Sequence, residues 1–198
     1  MKIKLQPYHT EGKIEVGLDE VGRGCLAGPV VASAVILPPD FDYDIVKDSK
    51  KLSEKKRKVA YDLIKEHAID YSIRFMDAKS IDDNNILQST MMAMHNCLDE
   101  LTTKPNHILV DGDYFNDYQD IKHTTVIKGD NKFYSIAAAS ILAKVTRDEY
   151  MKEQHELHPN YKWDSNKGYG SKAHRDAIIE HGTTDLHRMT FLRNILQS

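Results

Sequence analysis

The sequence predicts an α/β protein: a mixed β-sheet flanked by helices, with a helical C-terminal extension. Three observations predict it. Apolar, β-branched runs alternate with helix-period segments in the order β-β-α-β-α-β-β-α. Short helical signals crowd the end of the chain, beyond one long helical stretch rich in small residues. No repeat, low-complexity stretch or linker interrupts the 198 residues. They are expected to form one structural unit, with residues 1–158 as the main domain and residues 159–198 as a helical region packed on it.

Val16 through Asp19 and Pro29 through Leu37 are apolar and β-branched, separated by glycines, and predict a two-stranded hairpin. Ser53 is placed to cap a helix that buries Val59, Ala60, Leu63 and Ile64. "IDYSIRF" alternates Ile69, Tyr71, Ile73 and Phe75, the period of a half-buried strand. From Ile86 to Leu101 the apolar positions return to helical spacing, with the methionines filling core. "HILVD" predicts a strand ending at Asp111, and "HTTVIKGD" another ending at Asp130. A long helix follows and must stop by Pro159. Ala137, Ala138, Ala139, Ser140 and Ala143 let it approach the sheet closely. Ser171 and Gly182 bracket a short helix, and a second lies near the end.

Composition narrows the function classes. Cys25 and Cys97 stand far apart without metal-site spacing, which argues against a disulfide framework or structural zinc. His155 and His158 are three apart, but nothing completes a zinc site around them, so they are read as helix-surface residues. The polar N-terminus and the lack of any membrane-length apolar run predict a cytoplasmic protein with no membrane association. Net charge is −3, yet Lys47 to Lys58 holds seven basic residues against two acidic ones. A phosphate-binding surface needs local charge, not a basic whole.

The chemistry concentrates in carboxylates. Asp19, Asp111 and Asp130 are predicted at the ends of three strands, the rim where open α/β sheets bind ligands, and Glu20 adjoins the first. One aspartate at a strand end is an ordinary turn residue. Three, one of them doubled, predict a cluster. Such a cluster stays ionised around a hard divalent cation, Mg²⁺ or Mn²⁺, because its ligands are all oxygen. Neighbours on a strand face opposite ways, so Asp19 and Glu20 reach one point only if the strand bends or ends there. Gly22 and Gly24 supply that freedom. Asp113 reads as a solvated loop acid. A dinucleotide fingerprint in Gly22–Gly28 fails on context, since another strand follows where a helix is required.

"GLDEVGRGCLAGPVV", "DSKKLS", "NILQSTMMAM", "VDGD", "IKGD", "AAASILAKVTRD", "NKGYGSKAH" and "HRMTF" occur in an order that resembles the bacterial ribonuclease HII family through nearly the whole chain. The resemblance implies a ribonuclease H-like fold whose C-terminal helices help clasp a duplex. It implies hydrolysis of the phosphodiester on the 5′ side of a ribonucleotide embedded in DNA, and of RNA in RNA–DNA hybrids. It casts Asp19, Glu20, Asp111 and Asp130 as the catalytic and metal-binding acids. Gly22, Arg23 and Gly24 become the turn that reads the 2′-hydroxyl, and Tyr169 the ring that stacks on the following sugar. Asn166 and Ser171 depart from the histidine and threonine common there. Reading a 2′-hydroxyl requires backbone groups at contact distance, which suits a glycine turn. Two metal ions beside it would leave 5′-phosphate and 3′-hydroxyl ends. The expected protein is a monomer acting on hybrids and ribonucleotide-bearing duplexes. Its tail, "FLRNILQS", lacks the pattern of a sliding-clamp peptide.

Overall fold

The structure is a computed structural model and describes residues 4–47 and 49–197; Asp48 of "DSKKLS" and Ser198 of the tail lie outside the described residues. Five strands form one sheet in the order β3-β2-β1-β4-β5. β1 (Glu15–Val21) and β2 (Val30–Ile36) make the predicted hairpin, antiparallel with Asp19 opposite Ser33 and Glu20 opposite Ala32. β3 (Asp70–Met76) adds antiparallel to β2 as an edge strand. β4 (His107–Asp111) and β5 (His123–Val126) run parallel to β1 on its other side.

Helices cover both faces. α3 (Ile86–Glu100) lays Met91, Met94 and Leu98 on Val16, Leu18 and Ala32. On the opposite face, α4 (Tyr134–Leu157) and α1 (Glu54–His67) bury Ala138, Ile141, Ala60 and Ile64 with Val35. The small residues of α4 let it nearly touch β1. A Cβ on Gly17 would lie 2.2 Å from the Ser135 carbonyl carbon. No side chain fits between these backbones. Beyond α4, the short α5 (Trp163–Asn166), α6 (Lys172–His181) and α7 (Arg193–Leu196) close a third cluster in which Trp163, Tyr161, Ile178 and Leu192 pack on Met151 and Ala27.

Four local expectations are corrected. Val59 is exposed on α1, whose apolar stripe is narrower than the sequence suggests. Ile69 precedes β3 and Phe75 sits on its open side, so both are exposed. His155 and His158 are half-buried: His155 faces Asp164 at 3.4 Å and His158 packs edge-on against Trp163. β5 stops at Val126, short of Asp130, because Lys128 turns left-handed (φ 57°) and Gly129–Asn131 forms a 3₁₀ turn.

The helix α2 (Ala78–Asn84) is an addition, a polar segment capped by Asp77. It breaks from α3 at Asn85, which holds φ 65° and accepts the amides of Leu87 (3.0 Å) and Gln88 (3.1 Å). Alanine there loses the cap and leaves a Cβ residue in a strained conformation. Asn85→Ala should cost about 2 kcal/mol. The expected result is a lower urea midpoint with an unchanged slope. A midpoint within error of the wild type would refute the capping role.

Candidate active site

Parallel pairing sets the heart of the site. Leu18 lies opposite Val110, so Asp19 and Asp111 sit one step further along two neighbouring strands. Asp111 accepts the Gly129 amide at 2.7 Å, which ties the 3₁₀ turn carrying Asp130 to the same rim. Asp130 is buried beside it and accepts from the Asn131 side chain at 2.8 Å. The left-handed turn at Lys128 thus replaces the predicted strand end, and Asp130 still arrives at the cluster.

β1 neither bends nor ends at Asp19; it runs on to Val21. Strand alternation therefore holds. Glu20 shares the α3 face with Leu18 and Val16, while Asp19 faces α4. Glu20 and Asp111 line a cleft of ≈ 340 Å³ with Arg23, Leu87, Met91 and Tyr114. Asp113 borders the same cleft but is exposed, as a loop acid would be. Among the described residues, no three acids or histidines close round one point as a finished cage. A larger groove of ≈ 1060 Å³ between the end of β3, α2 and residues 183–189 contains none of the four acids.

The electrostatics nevertheless join them. Burial holds the Asp19 carboxyl well above the usual carboxylate range, and the Glu20 and Asp111 charges push the same way. Hydrogen bonds from the Ser140 hydroxyl and the Glu20 amide oppose the rise. Glu20 is raised chiefly by burial, against the Arg23 guanidinium 3.4 Å away, with Asp111 adding to the rise. Burial also raises Asp111; the Gly129 amide and the Lys50 charge oppose it, while Asp130 adds to it. Asp19, Glu20 and Asp111 resist ionising chiefly because they are buried, and a neighbouring carboxylate pushes each of them further the same way. A hard cation would relieve that repulsion, and the all-oxygen donor set fits Mg²⁺ or Mn²⁺.

Beside the acids stands the glycine turn. Gly22 has φ +94°, and a Cβ there would strike the Arg147 side chain at 2.3 Å. Gly24 differs, since a Cβ on it meets nothing within 4 Å. Among the described residues nothing crowds that side, as a ligand-approach surface requires. Arg23 is about half exposed.

The Tyr169 loop is laced to this turn. Leu26 donates to the Gly168 carbonyl at 2.8 Å, and Cys25 bridges Tyr169 in antiparallel fashion. Tyr169 is 44% exposed. Asn166 accepts the Gly168 amide (2.8 Å) and donates to the Tyr161 carbonyl (2.7 Å), so this departure supports the loop from within. Ser171 caps α6 on the His174 amide, as its hydroxyl allows. Trp163 donates to His174 Nε2 (3.1 Å), which leaves the proton on Nδ1 to reach the Tyr169 carbonyl (3.0 Å). Burial lowers His174, keeping it in that neutral form.

Sequence reasoning missed Ser140 as a partner of Asp19, and missed Arg147 and Arg188 behind the turn. The only signal for them was their place inside "AAASILAKVTRD" and "HRMTF".

A family model described as Ribonuclease HII matches residues 16–194. Ribonuclease HII of Bacteroides thetaiotaomicron is 54% identical over 187 residues, 94% of each chain. The crystal structure of ribonuclease H2 from Pyrococcus horikoshii OT3 superposes with a TM-score of 0.79, covering 92% of this chain and 97% of that one at 24% identity. Bst-RNase HIII in complex with Mn²⁺ gives 0.73, covering 96% of this chain and 71% of that one at 20% identity. The five-stranded sheet and its helical layers are the fold these structures share.

Proposed function

Because the chain belongs to the ribonuclease HII family, with the endonuclease activity that family carries, we propose that it hydrolyses the phosphodiester 5′ of ribonucleotides embedded in duplex DNA. RNA in RNA–DNA hybrids is its second substrate, and the products carry 5′-phosphate and 3′-hydroxyl ends. One observation carries this reading: Asp19, Glu20 and Asp111, with Asp130 buried beside Asp111, gather next to a glycine turn with an open side.

In this reading Asp19, Glu20, Asp111 and Asp130 hold Mg²⁺ or Mn²⁺, most simply as a pair of ions. Bound there, divalent ions activate water and offset charge on the attacking and leaving oxygens. The rest is done by the chain. The Gly22–Gly24 backbone meets the 2′-hydroxyl, a group small enough that only side-chain-free contact can read it. Tyr169 packs on the sugar that follows. The enzyme works as a monomer in the cytoplasm.

The test is a labelled duplex bearing one ribonucleotide, incubated with enzyme and Mg²⁺, then with EDTA in excess. Incision 5′ of the ribonucleotide that stops with EDTA is expected. Incision on the 3′ side, cyclic phosphate products or cleavage that survives EDTA would overturn the reading.

Phosphate grip should come from the basic segment beside the acids. The Lys50 charge already acts on Asp111, and Lys55 and Lys56 are exposed on the first turn of α1. If all three contact phosphates, their joint replacement by alanine should lower the log-affinity versus log-salt slope by about three. An unchanged slope would make this segment a solvated face.

A further inference from the structure

Arg147 on α4 and Arg188 just ahead of residues 189–191 are both completely buried. Among the described residues, neither guanidinium forms an ion pair with a carboxylate. All their side-chain hydrogen bonds end on backbone carbonyls. Arg147 donates to Pro29 (2.8 Å), Ala27 (3.0 Å) and Lys167 (2.8 Å). Arg188 donates twice to Gly28 (2.9 and 2.8 Å) and once to Arg23 (2.9 Å). Burial, with the Arg147 charge adding, lowers Arg188 to about 10, which leaves it cationic at neutral pH.

Burying two like charges without counter-ions is costly, and well-packed apolar residues would serve stability better. What the guanidiniums supply is geometry. Residues 22–29 lie between β1 and β2, outside the strand ladder. Arg188 spans this segment from Arg23 to Gly28, fixing its curvature. Arg147 bonds its far end and, through Lys167, the loop that carries Tyr169. The missing side chain of Gly22 lets the turn close onto Arg147.

We propose that Arg147 and Arg188 are positioning residues for substrate discrimination. They fix the spacing between the Gly22–Gly24 turn and the Tyr169 loop, so that a 2′-hydroxyl and the sugar 3′ of it are read together. The proposal rests on the substrate reading above, and neither side chain touches substrate.

Lysine is the informative replacement. It keeps the charge and the stem but has no planar fork to bridge separated carbonyls. Single-turnover rates should be compared on two substrates: a duplex with one ribonucleotide followed by DNA, and a continuous RNA strand in a hybrid. Wild-type enzyme should favour the first. Arg147→Lys and Arg188→Lys should each reduce that preference by about 10- to 100-fold, with a smaller loss on the hybrid. In the Tyr169→Ala background, Arg147→Lys should cost no further preference, because the spacing no longer matters. Melting temperatures identify the folded variants, and Arg188→Lys, which leaves all three Arg147 bonds intact, decides the matter if Arg147→Lys does not fold. An unchanged preference in a folded variant, equal losses on both substrates, or additivity with Tyr169→Ala would overturn the proposal. A wild-type enzyme that cleaves but shows no junction preference would overturn the substrate reading and this inference with it.

Discussion

Asp19→Asn should lower cleavage on the order of 10³-fold while raising the melting temperature of the metal-free protein at neutral pH. The two effects share one cause. Asp19 is buried against α4 with two further carboxylates acting on it, so its charge is held at the expense of the fold. Asparagine keeps an oxygen to accept the Glu20 amide, now at 2.7 Å, and loses the charge that a cation would need. Folding raises the Asp19 carboxyl above its unfolded value, so the native state binds the proton more tightly. Wild-type stability therefore falls as pH rises through the folded value and recovers in acid. The asparagine variant has no such dependence at this position. Its advantage should be greatest at neutral pH and above, and should vanish below about pH 4, where the unfolded aspartate is protonated too. Melts belong in EDTA, because a bound ion would stabilise the wild type selectively. Near-wild-type turnover in saturating Mg²⁺ would remove Asp19 from the catalytic acids. A lower melting temperature at pH 7 would refute the repulsion argument.

Tyr169→Ala should slow cleavage at an RNA–DNA junction roughly 5- to 150-fold, the kinetic equivalent of losing about 1–3 kcal/mol of stacking. Cleavage inside a long hybrid should suffer much less, since under the proposed reading a 2′-hydroxyl on the next sugar would already intrude on the stacked face. The loop should survive the substitution. Its backbone is held independently of the ring, by the Asn166 carbonyl on the Tyr169 amide and by Ser171 and His174 on its carbonyl. Tyr169→Phe keeps the ring and should keep most of the rate. Equal losses on both substrates together with a depressed melting temperature would mean that the ring packs the loop and nothing more.

Much of this architecture was legible because its elements are strongly periodic. The β1–β2 hairpin, β4, α3 and the long α4 follow directly from alternation or helical spacing, and Ser171 and Gly182 mark α6 to the residue. α2 was not legible, because "AKSIDDN" is short and polar and owes its existence to the Asp77 cap and to packing through Ile81. β5 was overrun because the β-branched run in "HTTVI" continues past Val126 to Ile127, and nothing before Gly129 announces a left-handed lysine. The four acids could be named because carboxylates at strand ends are unusual in number. Their relative aim could not, since it depends on β1 continuing straight to Val21. The buried arginines illustrate the opposite failure. Composition places arginine outside, and the backbone carbonyls of Arg23, Ala27, Gly28, Pro29 and Lys167 make the interior tolerable.

The mixed sheet has a consequence for the order of events during folding. β1 meets β2 across one short connection, but its other neighbour, β4, arrives only after β2, α1, β3, α2 and α3 have been threaded through. The hairpin is a local contact and the β1–β4 pairing a distant one, so chain entropy favours the hairpin first. Asp19 and Asp111 therefore meet late, when hydrophobic contacts on both faces can already offset their repulsion. Pulsed hydrogen exchange should find the amides of the β1–β2 ladder protected before those of the β1–β4 ladder. Simultaneous protection of both would show instead that the sheet closes in one step. An early-collapsed chain would hold the first strand pair and yet be unable to gather the carboxylates of the proposed metal site, which would mature only as the sheet is completed.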